Sequence, residues 1–332
     1  MKFSFFLYTI VVSVFGTFIT FANNGLAVTA KAVQSQLSLR RVQEQDESGL
    51  FSIQLESVDG QIIGGLHAPI GFFTHQVALY RPLADGSLRF RCGGSLIAKN
   101  VILGAAQCVY NGTTGMYFGD DYVKQFSANL NQYYRLEENS NMEVHRICQV
   151  IVHPNFVYTQ VSEYFDFVLY KLCEDSELAK NGTIVPIQLN RDNDVPTDHE
   201  VLTVTGWGDT NPNESSLSNE LMMVNVNYIN TTECTTPPYL YSKDDITDDM
   251  MCAGALVGGG RDACGGDGGG PLIIQGNKFD NHLLVGISSW GFDNTCALPE
   301  YPGVYARVSH VIDWILENGC SLIEGECDIQ TN

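Results

Sequence analysis

A glycine-rich run with two acids is the part of this sequence whose residue types and spacing could do chemistry. It spans residues 262–272 and reads Asp-Ala-Cys-Gly-Gly-Asp-Gly-Gly-Gly-Pro-Leu. A glycine-rich loop can cradle a phosphate with its backbone amides, but that motif continues as Gly-Lys-Ser/Thr, which does not follow here. A phosphate-binding loop is therefore excluded, and the roles of Asp262 and Asp267 must be sought elsewhere.

The run resembles the signature Gly-Asp-Ser-Gly-Gly-Pro around the catalytic serine of trypsin- and chymotrypsin-like serine proteases, with Gly268 in the serine position. Further landmarks of that family occur in the correct order over about residues 62–319. They are Ile-Ile-Gly-Gly at 62–65, Cys-Gly-Gly-Ser-Leu-Ile at 92–97, Ala-Ala-Gln-Cys at 105–108, Asp-Phe-Val-Leu-Tyr-Lys-Leu at 166–172, Gly-Trp-Gly at 206–208, Ser-Trp-Gly at 289–291 and Pro-Gly-Val-Tyr at 302–305. The resemblance implies an all-β, chymotrypsin-like fold of two packed six-stranded antiparallel barrels, with a cleft between them and a C-terminal α-helix.

Two of the three positions that resemble the catalytic triad hold residues that cannot perform its chemistry. Asp166 occupies the acid position, Gln107 the base position and Gly268 the nucleophile position. Glycine has no side chain to attack a carbonyl, and a glutamine amide does not titrate near neutral pH. We therefore expect a pseudoprotease with no functional catalytic residue, in which Gly266 and Gly268 occupy the oxyanion-hole positions. We also predict that the Gln107 amide donates a hydrogen bond to Asp166, so that this buried acid stays satisfied.

The resemblance also implies a specificity pocket. Asp262 lies six residues before Gly268, where trypsin keeps the acid that receives lysine or arginine side chains. Two interpretations stay open: the pocket still holds a basic side chain, or Asp262 is a leftover carboxylate solvated by water. Residues 292–295 make the mouth longer than in trypsin, so we expect it to differ. The expected pocket residues are Asp262, Ser289, Trp290, Gly291 and Gly303.

Ile62 resembles the amino terminus that trypsin-like zymogens expose when they are cut, and Asp267 resembles the acid with which it pairs. A buried ammonium and a buried carboxylate each need the other. Gln61 precedes Ile62, however, where trypsin-like activators need lysine or arginine. Ordinary activation is therefore not expected, and in an uncut chain Asp267 must find other donors.

Ten cysteines indicate a disulfide framework and an oxidising compartment, and their spacing does not indicate a metal site or cofactor. The family resemblance implies three of the pairs. Cys148 and Cys173 should lie on neighbouring antiparallel strands, and the last two cysteines should pair in the tail. The predicted pairs are Cys92–Cys108, Cys148–Cys173, Cys234–Cys252, Cys264–Cys296 and Cys320–Cys327.

The chain divides into four predicted regions. Residues 1–22 form an apolar secretory signal peptide, with cleavage as late as residue 30, and an uncleaved membrane anchor is the alternative. Residues 23–61 form a mobile leader or pro-segment, residues 62–319 the protease-like domain and residues 320–332 a tail. Asp85-Gly86 between two extended runs predicts a β-hairpin. Apolar residues recur with helical spacing over residues 308–318, and Gly319 is expected to end that helix.

A secreted glycoprotein is the expected product. Sequons stand at Asn111, Asn181, Asn213 and Asn230, each a weak signal alone. The formal charge of −20 argues against nucleic acid and anionic membrane surfaces as partners.

Three functional hypotheses follow. The leading one is an inactive homologue that binds a protein, as decoy, cofactor or inhibitor of a hydrolase or protease. The second is a working serine-type endopeptidase, which carries out the family's usual proteolysis. The third is a receptor for basic peptides at Asp262.

Overall fold

The computed structural model describes residues 63–137, 141–159, 162–211 and 214–332, together with four short strands near the start of the chain. Those strands belong to the first of two units, residues 1–57, and form two antiparallel hairpins. They are β1 (Ile10–Val14) with β2 (Thr17–Phe21), and β3 (Glu44–Gln45) with β4 (Phe51–Ser52). Most of the predicted signal peptide and leader, and Ile62, lie outside the described residues. No helix in the described part of the chain is long and apolar enough to cross a membrane.

The second unit, residues 58–332, begins with a closed antiparallel barrel. Its strands lie in the order β10-β13-β8-β7-β6-β9, and β11 pairs with β12 as a separate hairpin. In chain order the elements are β5 (Leu66–His67), β6 (Gln76–Pro82), β7 (Leu88–Ala98), β8 (Val101–Gly104), β9 (Ser127–Leu130), β10 (Glu143–Val152), β11 (Val157–Tyr158), β12 (Glu163–Tyr164) and β13 (Val168–Leu172).

The turn between β6 and β7 shows how local sequence sets this barrel. Gly86 has a φ of 83°, a conformation that glycine adopts without steric cost. Asp85 Oδ1 accepts hydrogen bonds from the Ser87 amide at 3.0 Å and the Ser87 hydroxyl at 2.6 Å. The hairpin predicted from Asp-Gly is therefore confirmed, and it aligns the two strands that lead to Cys92.

The second barrel closes in the order β21-β20-β15-β18-β19-β22, with β22 returning to β21. A short parallel strand, β14, extends β21, and β5 pairs with β18. The strands are β14 (Gln188–Leu189), β15 (Val201–Gly206), β16 (Asp209–Asn211), β17 (Glu214–Leu217), β18 (Met222–Ile229), β19 (Met250–Gly254), β20 (Pro271–Ile274), β21 (Leu283–Trp290) and β22 (Gly303–Arg307). The predicted fold, two closed six-stranded barrels, is confirmed.

Buried contacts fix one barrel against the other. The Thr205 hydroxyl donates to Gln76 Oε1 at 2.6 Å, with both side chains buried. The Phe90 and Trp207 rings meet edge to face at 6.0 Å. The Gly93 amide donates to the Gly268 carbonyl at 2.9 Å. The last contact ties the loop of the second barrel that carries Gly268 to a strand of the first.

Short helices connect the strands. Among the described residues they are the 3₁₀ turns Ala106–Val109, Phe292–Asn294 and Val308–Val311, and the helices α1 (Asp120–Val123), α2 (Glu177–Lys180), α3 (Thr231–Cys234) and α4 (Ile312–Ser321).

The C-terminal helix is confirmed, but the predicted stop at Gly319 is wrong. Helix α4 continues through Gly319 to Ser321 and ends at Leu322, which has an ordinary negative φ. A Cβ at Gly319 would lie 2.7 Å from Ile329 Cδ1. Gly319 therefore lies where the tail packs against the helix, and a side chain there would displace the end of Ile329.

All five predicted disulfides are present, and no described cysteine is free. Cys148 and Cys173 lie near facing ends of the antiparallel strands β10 and β13, as expected. Cys320 on α4 and Cys327 close a short loop in the tail.

Candidate active-site cleft

Gln107 lies on the 3₁₀ turn after β8, directly before the disulfide-bonded Cys108. Its side-chain Nε2 donates to Asp166 Oδ2 at 2.8 Å, so the predicted hydrogen bond is confirmed. The same nitrogen donates to the Ser289 carbonyl at 2.5 Å, and the backbone amide donates to Asp166 Oδ1 at 2.8 Å. Both side-chain N–H groups therefore have acceptors.

Asp166, at the start of the segment leading into β13, is fully buried. The Ser289 hydroxyl adds a donor to Oδ2 at 2.6 Å. Burial raises the pKa of Asp166 above its ordinary value, although the hydrogen bonds from Ser289 and Gln107 act in the opposite direction. The carboxylate organises the cleft by holding Gln107 and Ser289 together.

Gly268 faces Gln107 across the cleft. An ideal Cβ placed on Gly268 would lie 3.9 Å from Gln107 Cδ and 3.9 Å from Oε1, with no closer atom. The backbone amides of Gly266 and Gly268 donate to no other described residue, and both glycines border the cavity described below. The glycine at position 268 therefore leaves the predicted nucleophile position without a side chain that could attack, and the predicted oxyanion-hole positions, Gly266 and Gly268, lie in the lining of the cavity.

No motif in the sequence identified Arg91, which directly precedes Cys92. Its side chain stabilises the 3₁₀ turn that carries Gln107. Its Nε donates to the Cys108 carbonyl at 3.0 Å, and its Nη2 donates to the carbonyls of Gln107 at 3.1 Å and Tyr110 at 2.8 Å. Carbonyls at the end of a helical turn lack partners within the turn. A single guanidinium donates to three carbonyls, of which that of Gln107 also accepts from the Tyr110 amide, and so stabilises the turn that presents Gln107.

The cleft contains a cavity of about 230 Å³ with Asp262 in its lining. Asp262 is 4% exposed, and Oδ2 accepts from the Ala297 amide at 3.0 Å. Oδ1 meets no donor of good hydrogen-bond geometry among the described residues, and the neighbouring Tyr305 hydroxyl acts as a weak donor that lowers the pKa of this acid slightly. Burial, reinforced by the charge of Asp267, raises the pKa of Asp262 to about 7.

The structure brings the predicted pocket residues together around this cavity. Ser289, Trp290, Gly291 and Gly303 all line it with Asp262. A Cβ at Gly303 would collide with Asp262 Oδ1, so glycine is what leaves room for this carboxylate. The longer mouth forms a 3₁₀ turn in which the Phe292 ring stacks on Tyr301, with centroids 3.8 Å apart. Among the described residues, no histidine lines the cavity.

Asp267 is buried beneath the glycine-rich loop. Its Oδ1 accepts from the Gly208 amide at 2.8 Å, and its Oδ2 accepts from the Cys264 amide at 3.0 Å. Burial raises its pKa to about 6. The acid therefore has two backbone amide donors among the described residues. The predicted pairing with Ile62 lies outside the described residues and stays a prediction.

Sequence reasoning also missed Glu163, because a lone glutamate in a polar loop gives no local sign of burial. It lies in the β11–β12 hairpin, paired in register with Tyr158, and is 9% exposed. Its Oε2 accepts no hydrogen bond from a described residue. Burial, with a further contribution from the charge of Asp166, raises the pKa of Glu163 to about 8.

The predicted glycosylation sites are only partly described. Asn181 is exposed and Asn111 half-buried, with their side-chain oxygens accepting from nearby amides. Asn230 caps helix α3 by accepting from the Glu233 amide. Asn213 lies outside the described residues. No cluster of three or more metal-ligating side chains occurs in the part of the chain that the structure describes.

Two closed antiparallel barrels with a buried acid, a glycine-rich loop and a pocket between them define the chymotrypsin-like fold. A family model described as Trypsin matches residues 62–315. Hypodermin-A of Hypoderma lineatum is 35% identical over 81% of this chain and 91% of its own length. Trypsin-1 of Astacus astacus is 34% identical over 77% of this chain and 99% of its own, and Trypsin 5G1 of Aedes aegypti is 35% identical over 78% and 85%. The chain belongs to the trypsin family.

Proposed function

We propose that this chain is a secreted, catalytically inactive member of the trypsin family that acts by binding a protein partner. The observation that carries the proposal is the pair of residues at the reacting centre. Gln107 stands where the general base belongs and Gly268 where the nucleophile belongs, and a Cβ at Gly268 would lie 3.9 Å from the Gln107 amide. Five disulfides fit the oxidising compartment that secretion implies.

The size of the catalytic loss supports binding over hydrolysis. Removing the nucleophile of a serine protease triad lowers turnover on the order of a million-fold, and removing further members adds little. Oxyanion donors and substrate binding alone sustain roughly a thousand-fold acceleration over water. The amides of Gly266 and Gly268 could supply that residual acceleration, which is far too small for useful proteolysis.

A serine-directed phosphonate probe tests the inactivity. We expect no covalent labelling of the native protein, because no described side chain at the reacting centre can attack phosphorus. The matched control is the double variant Gly268→Ser/Gln107→His, in which the same scaffold regains a nucleophile and a base. Labelling of the native protein at the cleft would instead support the family-typical endopeptidase.

The proposed partner is a protein, and we expect a hydrolase or another protease. Affinity capture of the secreted protein from its native extracellular fluid, with identification of what co-purifies, tests it. One stoichiometric hydrolase or protease supports a decoy, cofactor or inhibitor role. Recovery of basic peptides alone, lost in Asp262→Asn, favours the second proposal.

The second proposal is that the Asp262 pocket binds basic side chains. The supporting observation is Asp262 itself, a buried carboxylate in the lining of the cavity whose Oδ1 meets no donor of good hydrogen-bond geometry among the described residues. A buried carboxylate in its charged form needs a partner, and a guanidinium or ammonium would supply one.

Benzamidinium, a compact cation, tests the pocket directly. It should raise the melting temperature of the native protein, and Asp262→Asn should abolish that rise. Asp293→Asn is the control, because it removes the same charge from an exposed position at the mouth and leaves the pocket floor intact. A rise of equal size in Asp262→Asn would contradict the proposal.

A further inference from the structure

The β6–β7 hairpin places two arginines side by side on its surface. Arg81 on β6 is paired in register with Arg89 on β7. Residues directly opposite each other on antiparallel strands carry their side chains on the same face, where like charges destabilise the pair. Arg81 is half-buried and Arg89 is exposed. The folded hairpin therefore holds two positive charges together at a cost that a bound anion would remove.

A third guanidinium lies close to this pair. Burial lowers the pKa of Arg91, and the positive charge of Arg81 adds to the lowering. Arg91 Cζ lies 5.8 Å from the centre of the Phe118 ring, and that ring lies 5.3 Å from the ring of Tyr122. The Tyr122 hydroxyl in turn lies 3.5 Å from Arg81 Nη1. The three arginines thus belong to one continuous surface of guanidiniums and half-buried aromatic rings.

No carboxylate neutralises these charges in the part of the chain that the structure describes. The ion pairs found there use lysine or histidine as the cation, and none uses an arginine. On the hairpin itself, Asp85 accepts its hydrogen bonds from Ser87. On helix α1, Asp120 accepts from the Tyr117 hydroxyl and Asp121 pairs with a lysine. A protein with 38 acidic and 18 basic residues leaves this cluster of arginines without an acid.

Arg81 and Arg89 are the members of the cluster that are free to bind. Arg91 already donates to three carbonyls, so it contributes charge but few donors. The Arg89 side chain makes no hydrogen bond or ion pair with a described residue, and Arg81 makes only the long contact with Tyr122. Neither Arg81 nor Arg89 lines the cavity of the cleft. Their donors therefore define a second surface.

Charge and chemistry favour an acidic polypeptide segment as the occupant. A carboxylate can accept two parallel hydrogen bonds from one guanidinium. The half-buried rings of Phe118 and Tyr122 offer apolar contacts, which a polypeptide can use and a sulfated polysaccharide cannot. The formal charge of −20 also repels a long polyanion, whereas a short acidic segment senses mainly the local positive charges within a screening length of about 8 Å.

We propose that Arg81 and Arg89 form a docking site, separate from the cleft, for an acidic segment of the protein partner. The inference rests on the proposed protein-binding function, but it does not depend on the Asp262 pocket. It adds a chemical requirement to the partner, which must present carboxylates in an accessible segment.

A short acidic peptide tests the site. The probe is the acetylated and amidated hexapeptide Glu-Gly-Glu-Leu-Glu-Gly, and its control carries glutamine at each glutamate. Calorimetry at low ionic strength should show that the native protein binds the glutamate peptide about tenfold or more tightly than the glutamine peptide. The difference should shrink as salt is added, because exposed charges are screened. Equal affinity for the two peptides overturns the inference.

The double variant Arg81→Gln/Arg89→Gln locates the binding. Its affinity for the glutamate peptide should fall by about tenfold, while its affinity for the glutamine peptide stays within about twofold of native. The matched control is Arg191→Gln/Lys278→Gln, which removes the same net charge from exposed side chains elsewhere and should bind like the native protein. An equal loss in the control would show a general effect of charge and overturn the inference.

The single variant Arg89→Gln separates binding from a structural role and serves if the double variant fails to fold. It removes no hydrogen bond or ion pair with a described residue, so its urea unfolding midpoint should not fall, while its affinity for the glutamate peptide should weaken by about fivefold. Native affinity in this variant, or a loss of stability without a loss of affinity, contradicts the docking role.

Other occupants and failure of the proposed function give different results. A heparin hexasaccharide that binds the native protein but not the double variant, with no binding of the glutamate peptide, would assign the surface to a polysaccharide and overturn the inference. A captured partner that binds the native protein and the double variant equally well removes only this docking site. Capture of no protein by either, with phosphonate labelling of the native protein, removes the proposed function itself.

Discussion

At the scale of single residues, Gln107 reproduces the hydrogen bonding of a neutral histidine without its proton chemistry. Its side-chain amide donates to the buried Asp166 and lies 3.9 Å from where a Cβ at position 268 would be, but the amide cannot take up a proton. In the cavity lining, Asp262 is an acid whose pKa, raised to about 7, makes its charge change near neutral pH.

Binding of a cation at Asp262 should depend on pH. The raised pKa, about 7, means that a proton competes with the cation over the neutral range. Affinity for benzamidinium should be full above about pH 8 and should weaken by up to about tenfold for each pH unit below 7. Calorimetry between pH 5 and pH 9 measures this profile, and Asp293→Asn should reproduce it. Affinity that does not change over this range would show that Asp262 is not the receptor group.

At the scale of elements, the short turn Ala106–Val109 carries most of the cleft's polar geometry but has no cap of its own. Its stability comes from the Cys92–Cys108 disulfide and from Arg91, whose guanidinium reaches three carbonyls. An arginine on a neighbouring strand thus does the work that a capping residue does in a longer helix.

Replacing Arg91 tests this bracing role. Arg91→Met keeps the apolar stem and removes all three hydrogen bonds, so the free energy of unfolding should fall by about 2 kcal/mol. Urea denaturation with the disulfides intact measures it. The control is Arg89→Met, two residues earlier on the same strand and exposed, which should change stability by less than about 0.5 kcal/mol. Equal effects of the two substitutions would exclude the bracing role.

The elements that the sequence predicted well are those fixed by motifs and pairing rules. The β6–β7 hairpin followed from Asp85-Gly86, and the Gln107–Asp166 bond followed from the need to satisfy a buried acid. The roles of Arg91 and Glu163 could not be predicted from the sequence, because they depend on which backbone carbonyls or charged groups lie beside these side chains in the folded protein. The helix end predicted at Gly319 was wrong, because a glycine against which the tail packs cannot be told apart in sequence from a glycine that ends a helix.

At the scale of the whole molecule, the buried acids couple folding to pH. For Glu163 the folded-state pKa, about 8, lies above the ordinary 4.5, so the folded protein holds this proton more tightly than the unfolded chain. Its contribution to stability is therefore full below about pH 4.5 and is lost as the pH rises toward 8. Asp262 and Asp267 act in the same direction up to about pH 7 and pH 6.

The variant Glu163→Gln should remove the part of the pH dependence of the unfolding free energy that comes from Glu163. Relative to the native protein, it should gain unfolding free energy between pH 5 and pH 8, on the order of a few kcal/mol, because glutamine never has to ionise while buried. Urea denaturation at both pH values gives the difference. The exposed Glu177→Gln is the control and should show no such gain. If Glu163→Gln and the native protein respond to pH identically, Glu163 is not buried as described.

The two amide hydrogen bonds to Asp267 bear on when the protein becomes able to bind a partner. They hold the glycine-rich loop with donors from the described part of the second barrel, and the pocket is formed beside that loop. Under the proposed binding function, such a protein needs no proteolytic trigger and is competent as soon as it has folded. The concentration of binding-competent protein in the extracellular fluid would then be set by its synthesis and clearance, as for a circulating carrier protein. It would not be set by an activation cascade.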